Sequence, residues 1–167
     1  MITFIKKDVT TALGATIVQG CNAQGVMGSG VARAIRDKWP GVFADYANLC
    51  DMFRRDQTVL LGMSVVYTDP LSNTKIVNGI TQVFYGKDGQ KYANPEAIRA
   101  VLLTATGIAL EQTYEDDGLA SVHLPRIGCG LGGLSWDNDV HPVLLEVDEY
   151  IQRKCQRPVH FFVCDPI

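Results

Sequence analysis

Two glycine-rich segments carry the residues that could bind an anion. The first spans residues 20–30 and the second residues 125–136, and each follows an apolar run and precedes a helical pattern. Because glycine has no Cβ, a ligand can approach its main chain closely, and N–H groups at a helix start attract negative charge. Each segment therefore predicts a phosphate or diphosphate site. A tight connection that binds nothing remains the alternative for either segment taken singly.

Three polar side chains near these segments could contact the rest of such a ligand. Asn22 and Gln24 lie in the first segment, where their amides would either cap the loop or hold a sugar hydroxyl. Their closeness to a phosphate-type loop favours the second role. Asp8 follows the first apolar run, where a carboxylate serves either as a turn residue or as an acceptor for a ligand amine. Position in the sequence favours the turn for Asp8.

Other phosphate and metal chemistries lack their residues. The pattern Gly128-x-Gly130-x-x-Gly133 matches a dinucleotide fingerprint, but the acid-ended strand expected about 20 residues later falls inside a predicted helix, which excludes a Rossmann domain. No Gly-Lys-Ser/Thr occurs in either loop, so neither is a P-loop. No metal-ligand spacing occurs, and we predict neither a metal nor a cofactor. His123 and His160 fall in predicted strands and are expected to be buried and neutral.

The remaining pattern predicts an α/β fold that positions both loops. Two apolar runs joined by the short segment 69–73 predict a β-hairpin. A loop at 84–92, rich in aromatic residues and glycine, could lie over a ligand or be a surface excursion, and a turn is expected at Asp116–Gly118. The predicted strands are 2–6, 15–19, 61–68, 75–83, 119–124 and 158–165, and the predicted helices are 31–38, 40–50, 95–113 and 135–155. This order predicts a mixed sheet between helical layers.

Composition limits the partners. The 167 residues are 47% hydrophobic with a formal net charge of −3 and no basic tract, which predicts no duplex nucleic-acid partner. No apolar run is long enough for a membrane helix, and no signal-peptide pattern precedes the first strand. The five cysteines form no C-x-x-C pair and several lie in apolar surroundings, which favours reduced thiols in a cytoplasmic protein.

Three sequence features together resemble the macro domain family. They are Lys7–Val9 after the first strand, the segment from Asn22 to Ala32, and the segment from Pro125 to Trp136. The resemblance covers nearly the whole chain. It implies a three-layer α/β/α macro-domain fold with a mixed central sheet, one domain over residues 1–167, and ADP-ribose as the ligand. The most similar branch includes the terminal ADP-ribose protein glycohydrolase and the yeast-type ADP-ribose-1''-phosphate phosphatase.

The resemblance also implies roles for individual residues. Asp8 accepts a hydrogen bond from the adenine amino group with help from the Val9 backbone, so the ligand role replaces the turn role for Asp8. Asn22 and Gln24 face the distal ribose and are the catalytic candidates. The other ligand-binding residues, mainly on the two sides of the diphosphate, are Gly28, Ser29, Gly30, Val31, Pro125, Gly128, Cys129, Gly130, Leu131 and Gly132.

The chain departs from the glycohydrolase branch at two positions. That branch has a lysine nucleophile after the Ile-Thr of the hairpin and an aspartate acid–base group after Gly-Cys-Gly-Leu, where this chain has Gln82 and Gly132. Glutamine cannot form the adduct that a lysine amine forms, and glycine cannot transfer a proton. Trapping with borohydride is therefore predicted to give no adduct on Lys87 or Lys91.

The sequence thus predicts a metal-free hydrolase acting on an ADP-ribose derivative, with ADP-ribose-1''-phosphate as the best candidate. One alternative is a non-catalytic reader of ADP-ribose or of an ADP-ribosylated macromolecule. The other is an ADP-ribosyl hydrolase that acts on modified protein or nucleic acid by a route without the lysine.

Overall fold

The structure, a computed structural model, describes residues 1–113 and 118–167. Its sheet has six strands: β1 (Ile2–Lys6), β2 (Thr16–Asn22), β3 (Ser64–Thr68), β4 (Lys75–Gln82), β5 (Ala120–Leu124) and β6 (Val159–Asp165). Their order across the sheet is β1-β6-β5-β2-β4-β3. Every neighbouring pair is parallel except β3 and β4, which form the predicted hairpin, with Val66 opposite Val77. The predicted turn at Asp116–Gly118 lies largely outside the described residues.

In the described part of the chain, four α-helices cover the sheet: α1 (Gly30–Lys38), α2 (Val42–Met52), α3 (Pro95–Gln112) and α4 (His141–Lys154). The start of α3 follows from its sequence, because the Asn94 side chain accepts a hydrogen bond from the Ala97 N–H and Pro95 occupies the first helical position. A widened turn over Trp136–Val140 precedes α4. Pro142 has no N–H to donate into that turn, and the regular helix begins at His141, after the widened turn.

Two hydrophobic cores pack on opposite faces of the sheet. One contains residues of α3 and α4, such as Leu102 and Leu144, against β5 and β6. The other contains residues of α1 and α2, such as Ile35 and Tyr46, against β2 and β4. Neighbouring residues of β2 enter different cores, so this strand is covered on both sides as predicted. The three-layer α/β/α arrangement with a mixed sheet confirms the predicted fold class.

Several predicted boundaries are wrong. The strand predicted at 15–19 continues to Asn22, because β4 pairs with it as far as Gln82 across a bulge at Cys21 and Asn22. The helix predicted at 40–50 begins at Val42. The strand predicted at 61–68 begins at Ser64, since the preceding residues form a turn through Gly62 at φ +86°.

No helix in residues 1–113 or 118–167 combines the length and the apolar character that a membrane crossing requires.

Candidate functional site

A cleft of about 460 Å³ opens where β2, β4 and β5 end and where α1 begins. In a parallel sheet the carboxyl ends of strands face one crevice, which is why loops far apart in sequence meet here. The cleft is lined by ten of the fourteen predicted site residues: Asn22, Gly28, Ser29, Gly30, Val31, Pro125, Gly128, Gly130, Leu131 and Gly132.

One wall of the cleft is the start of α1. Ser29 is extended at the N-cap and its carbonyl oxygen accepts the N–H of Arg33 at 3.2 Å. The N–H groups of Gly30, Val31 and Ala32 precede that first helical bond and have no acceptor within the helix. They border the cleft, and the helix dipole adds partial positive charge to them. This wall can hold an anion without a charged side chain.

The opposite wall is the loop after β5. Bonds between Cys129 N and Arg126 O at 3.2 Å, and between Gly133 N and Gly130 O at 3.1 Å, fold it into consecutive turns. Within the described residues, no protein acceptor takes the N–H of Gly130, Leu131 or Gly132. These donors also border the cleft. The two walls thus present main-chain amides to the same space, as an anion site requires.

Asn22 is fixed by its own loop. Its Oδ1 accepts from Gln24 N at 3.0 Å, from Val26 N at 3.3 Å and from the Tyr46 hydroxyl at 3.0 Å, while its Nδ2 donates to Val26 O at 2.9 Å. The carbonyl oxygen is saturated, so Asn22 can offer a ligand only its second amide N–H. Asn22 can therefore orient a hydroxyl but cannot act as a general base.

The structure does not bring Gln24 into the cleft, contrary to the expected position facing the ribose. Its Nε2 donates to Gln57 Oε1 at 2.8 Å and to Val83 O at 2.9 Å. The side chain lines a separate depression beside α2. These bonds tie the first loop to the segment after β4, which gives Gln24 a structural role.

Asp8 and Val9 lie outside the cleft lining, beside the end of β1. Asp8 Oδ1 accepts from both the backbone N–H and the hydroxyl of Thr10, at 2.9 and 2.8 Å. This is the turn role considered for the residue. The side chain is exposed, and in the described residues Oδ2 has no hydrogen-bond donor, so the second oxygen can accept from a ligand. One residue can thus serve both roles.

Cys129 lies in the loop after β5 but does not line the cleft. Burial raises the pKa of its thiol, with the nearby carboxylates of Asp139 and Asp137 raising it further against Arg126. A thiol is a weak nucleophile compared with a thiolate. Its side chain donates to Ile127 O at 3.5 Å, and its backbone N–H already donates to Arg126 O, so the structure supports a packing role for this residue.

The floor contains Gln82 and Gly132, the two positions that depart from the glycohydrolase branch. Gln82 is buried, and its Nε2 donates to Phe84 O at 2.9 Å. A Cβ at Gly132 would lie 2.6 Å from Gly128 O and 2.8 Å from the Ala93 Cβ. The loop is therefore closed to any side chain at residue 132, not merely short of a carboxyl group.

The lining also includes residues that were not among the predicted site residues, and Gln19, Tyr85, Lys87 and Arg126 are four of them. Tyr85 and Lys87 belong to the aromatic loop, so this loop lines the cleft. Gln19 follows two β-branched residues on β2 and donates through Nε2 to Asn78 Oδ1 at 2.8 Å, while its buried Oε1 has no hydrogen-bond partner among the described residues.

Charge in the cleft has one sign. The charged residues lining it are Lys87 and Arg126, and no carboxylate lies among the described lining residues. Arg126 pairs with Asp165 through Nε–Oδ1 at 2.6 Å and Nη2–Oδ2 at 3.0 Å. That bond holds the pKa of the Asp165 carboxyl below its usual range. An anionic ligand fits this lining, and a general base would have to come from elsewhere.

The fold and the cleft define a class of protein: a three-layer α/β/α domain with an amide-lined crevice at the strand ends. The macro domain family model matches residues 18–142, and the chain belongs to this family. This confirms the family that the sequence motifs resemble.

Comparison with known proteins gives two kinds of similar enzyme. DNA ADP-ribosyl glycohydrolase of Mycobacterium tuberculosis is 28% identical over 138 residues, which cover 83% of this chain and 36% of that protein. The chain therefore spans about a third of the length of that relative. ADP-ribose 1''-phosphate phosphatase of Debaryomyces hansenii is 28% identical, covering 82% of this chain and 89% of that protein.

Among solved structures, the macrodomain of Mycobacterium tuberculosis DarG superposes with a TM-score of 0.72 at 26% identity, covering 99% of both chains.

Proposed function

We propose that this macro domain binds ADP-ribose in the cleft and hydrolyses a derivative of it, with ADP-ribose-1''-phosphate as the substrate. The observation that carries the proposal is the pair of amide walls, at the start of α1 and after β5, that border one cleft. A diphosphate between them would receive hydrogen bonds from both sides. The names of the two similar enzymes, one a phosphatase and one a glycohydrolase, support an ADP-ribose derivative as substrate.

The roles of the residues follow from their positions along the sheet edge. Asp8 follows β1 and Asn22 ends β2, and the two strands are three places apart in the sheet, or roughly 14 Å. Adenine would lie at the Asp8 end, and the distal ribose would receive the remaining N–H of Asn22. Water would attack phosphorus, the bond between phosphorus and the ribose oxygen would break, and that oxygen would leave with a proton.

Isothermal titration with ADP-ribose tests the binding step. A micromolar Kd would correspond to about −8 kcal/mol. Asp8→Ala is expected to weaken binding by about 1.5–3 kcal/mol, the scale of a charge-assisted hydrogen bond. Absence of heat and of any melting shift at millimolar ADP-ribose would reject the proposal.

A second candidate is a reader module that recognises ADP-ribose without turnover. The lack of a carboxylate among the described lining residues favours it, because hydrolysis gains from a general base near the water. Release of phosphate from ADP-ribose-1''-phosphate separates the two candidates. Loss of that release in Asn22→Ala supports the hydrolase, whereas binding by an inert wild-type protein supports the reader.

Hydrolysis of an ADP-ribosylated macromolecule is the remaining alternative. The covalent lysine route is disfavoured, because Gln82 occupies the nucleophile position and Lys91 is paired with Asp139 at 2.8 Å outside the cleft lining. Lys87 does line the cleft, so mass spectrometry after borohydride treatment should examine this residue first. We expect no adduct, and an adduct on Lys87 would assign a covalent route to this chain.

A further inference from the structure

Lys87 stands out because of where its loop leaves the sheet. The loop at 84–92 is separated from Gln82 by one residue, and Gln82 pairs with Asn22 at the end of the β2–β4 ladder. The start of the loop is therefore close to Asn22, the residue assigned to the distal ribose. β4 is four strand positions from β1, or roughly 19 Å, so this loop is at the far end of the cleft from Asp8.

The loop is anchored on the late glycine loop. Gly132 O accepts from Tyr92 N at 2.8 Å and from Ala93 N at 3.0 Å, and Ala93 also forms a bridge to Gln82. At the loop's start, Gln82 Nε2 donates to Phe84 O. Both ends of the loop are thus tied to the cleft, which limits how far Lys87 can move from it.

Asp88, the acid next to Lys87 in sequence, already accepts hydrogen bonds from other residues of the loop. Asp88 Oδ2 accepts from the Tyr92 hydroxyl at 2.7 Å, and Asp88 Oδ1 accepts from Gln90 N at 3.2 Å. The Tyr92 hydroxyl holds the pKa of the Asp88 carboxyl below its usual range. Within residues 1–113 and 118–167, Lys87 has no hydrogen bond and no ion pair, whereas Arg126, the other cation of the cleft lining, is neutralised by Asp165.

We propose that Lys87 recognises a terminal phosphate attached to the distal ribose and so selects ADP-ribose-1''-phosphate over ADP-ribose. The amide walls supply donors for the diphosphate, and Lys87 supplies an unpaired cation for a second anionic group at the Asn22 end. This inference rests on the proposed function and adds a specificity residue to it. Lys87 acts by charge, as an ammonium group beside the phosphate, and forms no bond to the ribose.

The test compares two ligands on three proteins. The ligands are ADP-ribose and a non-hydrolysable analogue in which a methylene group joins the 1'' carbon to a phosphonate. The proteins are the wild type, Lys87→Gln and the control Lys91→Gln. Both variants lose one positive charge from the same loop. Lys91 is a suitable control because it is paired with Asp139 and does not line the cleft.

The measured quantity is the ratio of the two dissociation constants. We expect the wild type and Lys91→Gln to prefer the phosphonate by about tenfold to a hundredfold, the range of a hydrogen bond to a charged group. In Lys87→Gln the ratio should fall close to one. The preference of the wild type should also shrink as salt is added, because the contact is partly exposed.

Each other outcome overturns a different statement. If Lys87→Gln weakens both ligands equally, the lysine serves the diphosphate and the inference is wrong. If the wild type binds ADP-ribose without preferring the phosphonate, the inference is wrong while the proposed binding of ADP-ribose stands. If the wild type binds neither ligand, the proposed function itself is wrong.

Discussion

Replacing Gly130 by glutamate should abolish ADP-ribose binding without disturbing the fold. A Cβ at Gly130 would have no atom within 4 Å, and the residue is exposed and has no left-handed backbone conformation. The loop can therefore accept the new side chain. Its carboxylate would stand beside the unpartnered N–H groups of Leu131 and Gly132 and compete there with a ligand phosphate.

The size of the effect follows from Coulomb's law. Two unit charges about 5 Å apart, at an effective dielectric constant near 20, repel by about 3 kcal/mol. That corresponds to more than a hundredfold in the dissociation constant. A carboxylate that turns into the amides would add to the loss by occupying the donors themselves.

Gly107→Glu is the matched control. Gly107 lies on the exposed side of α3, and a Cβ there would also have no atom within 4 Å. The control changes the net charge equally and should raise stability slightly, by up to about 1 kcal/mol, because glutamate favours a helix over glycine. Titration calorimetry with ADP-ribose should give no binding for Gly130→Glu and wild-type binding for Gly107→Glu. Affinity of Gly130→Glu within threefold of the wild type would refute the assignment of the late loop to the diphosphate.

Three further predictions concern stability. Gly132→Ala should lower the free energy of unfolding by about 1–3 kcal/mol, because the added methyl meets a carbonyl oxygen at 2.6 Å. The control Gly130→Ala should melt within a degree or two of the wild type in calorimetry. Equal melting temperatures of Gly132→Ala and the wild type would contradict the closed geometry of residue 132. Tyr46→Phe should destabilise the protein by about 1–3 kcal/mol in urea titration and weaken ADP-ribose binding. The reason is that it removes a hydroxyl within hydrogen-bond distance of Asn22 O, at 2.6 Å, and of Asn22 Oδ1, at 3.0 Å. Unchanged stability together with unchanged ADP-ribose affinity would argue against a positioning role for Tyr46. Burial lowers the pKa of His123 to about 4. As pH falls below about 6.5, this histidine is therefore protonated in the unfolded chain but not in the folded protein, and the folded protein loses stability. His123→Phe should remove about 2 kcal/mol of the stability lost between pH 7.5 and pH 5, and identical pH profiles of the two proteins in urea titration would refute this.

The features that the sequence predicts well are local. The glycine loops, the hairpin and the cap at Asn94 depend on neighbouring residues, and all are found in the structure. The directions of side chains depend on distant contacts. Gln24 turns away because Gln57 and Val83 hold its amide, and neither contact has a signal in the sequence near residue 24.

The sequence pattern also did not predict which charged residues line the cleft. Lys87 lines the cleft because the loop after β4 folds back onto Gly132. The aromatic and glycine residues of this loop left two alternatives equally open, a loop over a ligand and a surface excursion. A partial signal existed for Arg126, which lies within the late glycine segment, but its pairing with Asp165 joins the loop after β5 to the end of β6.

The pairing of β1 with β6 has a consequence for folding. In residues 1–113 and 118–167, β1 pairs only with β6, so Phe4 lies opposite Val163, which is far from it in sequence. Contacts between residues so far apart in sequence slow folding, because the chain must close a large loop before the contact forms. During synthesis, β1 would leave the ribosome before β6 and would remain without its partner strand until β6 followed. Its protection against hydrogen exchange should therefore be among the last to appear in pulse-labelled refolding, after the hairpin of β3 and β4.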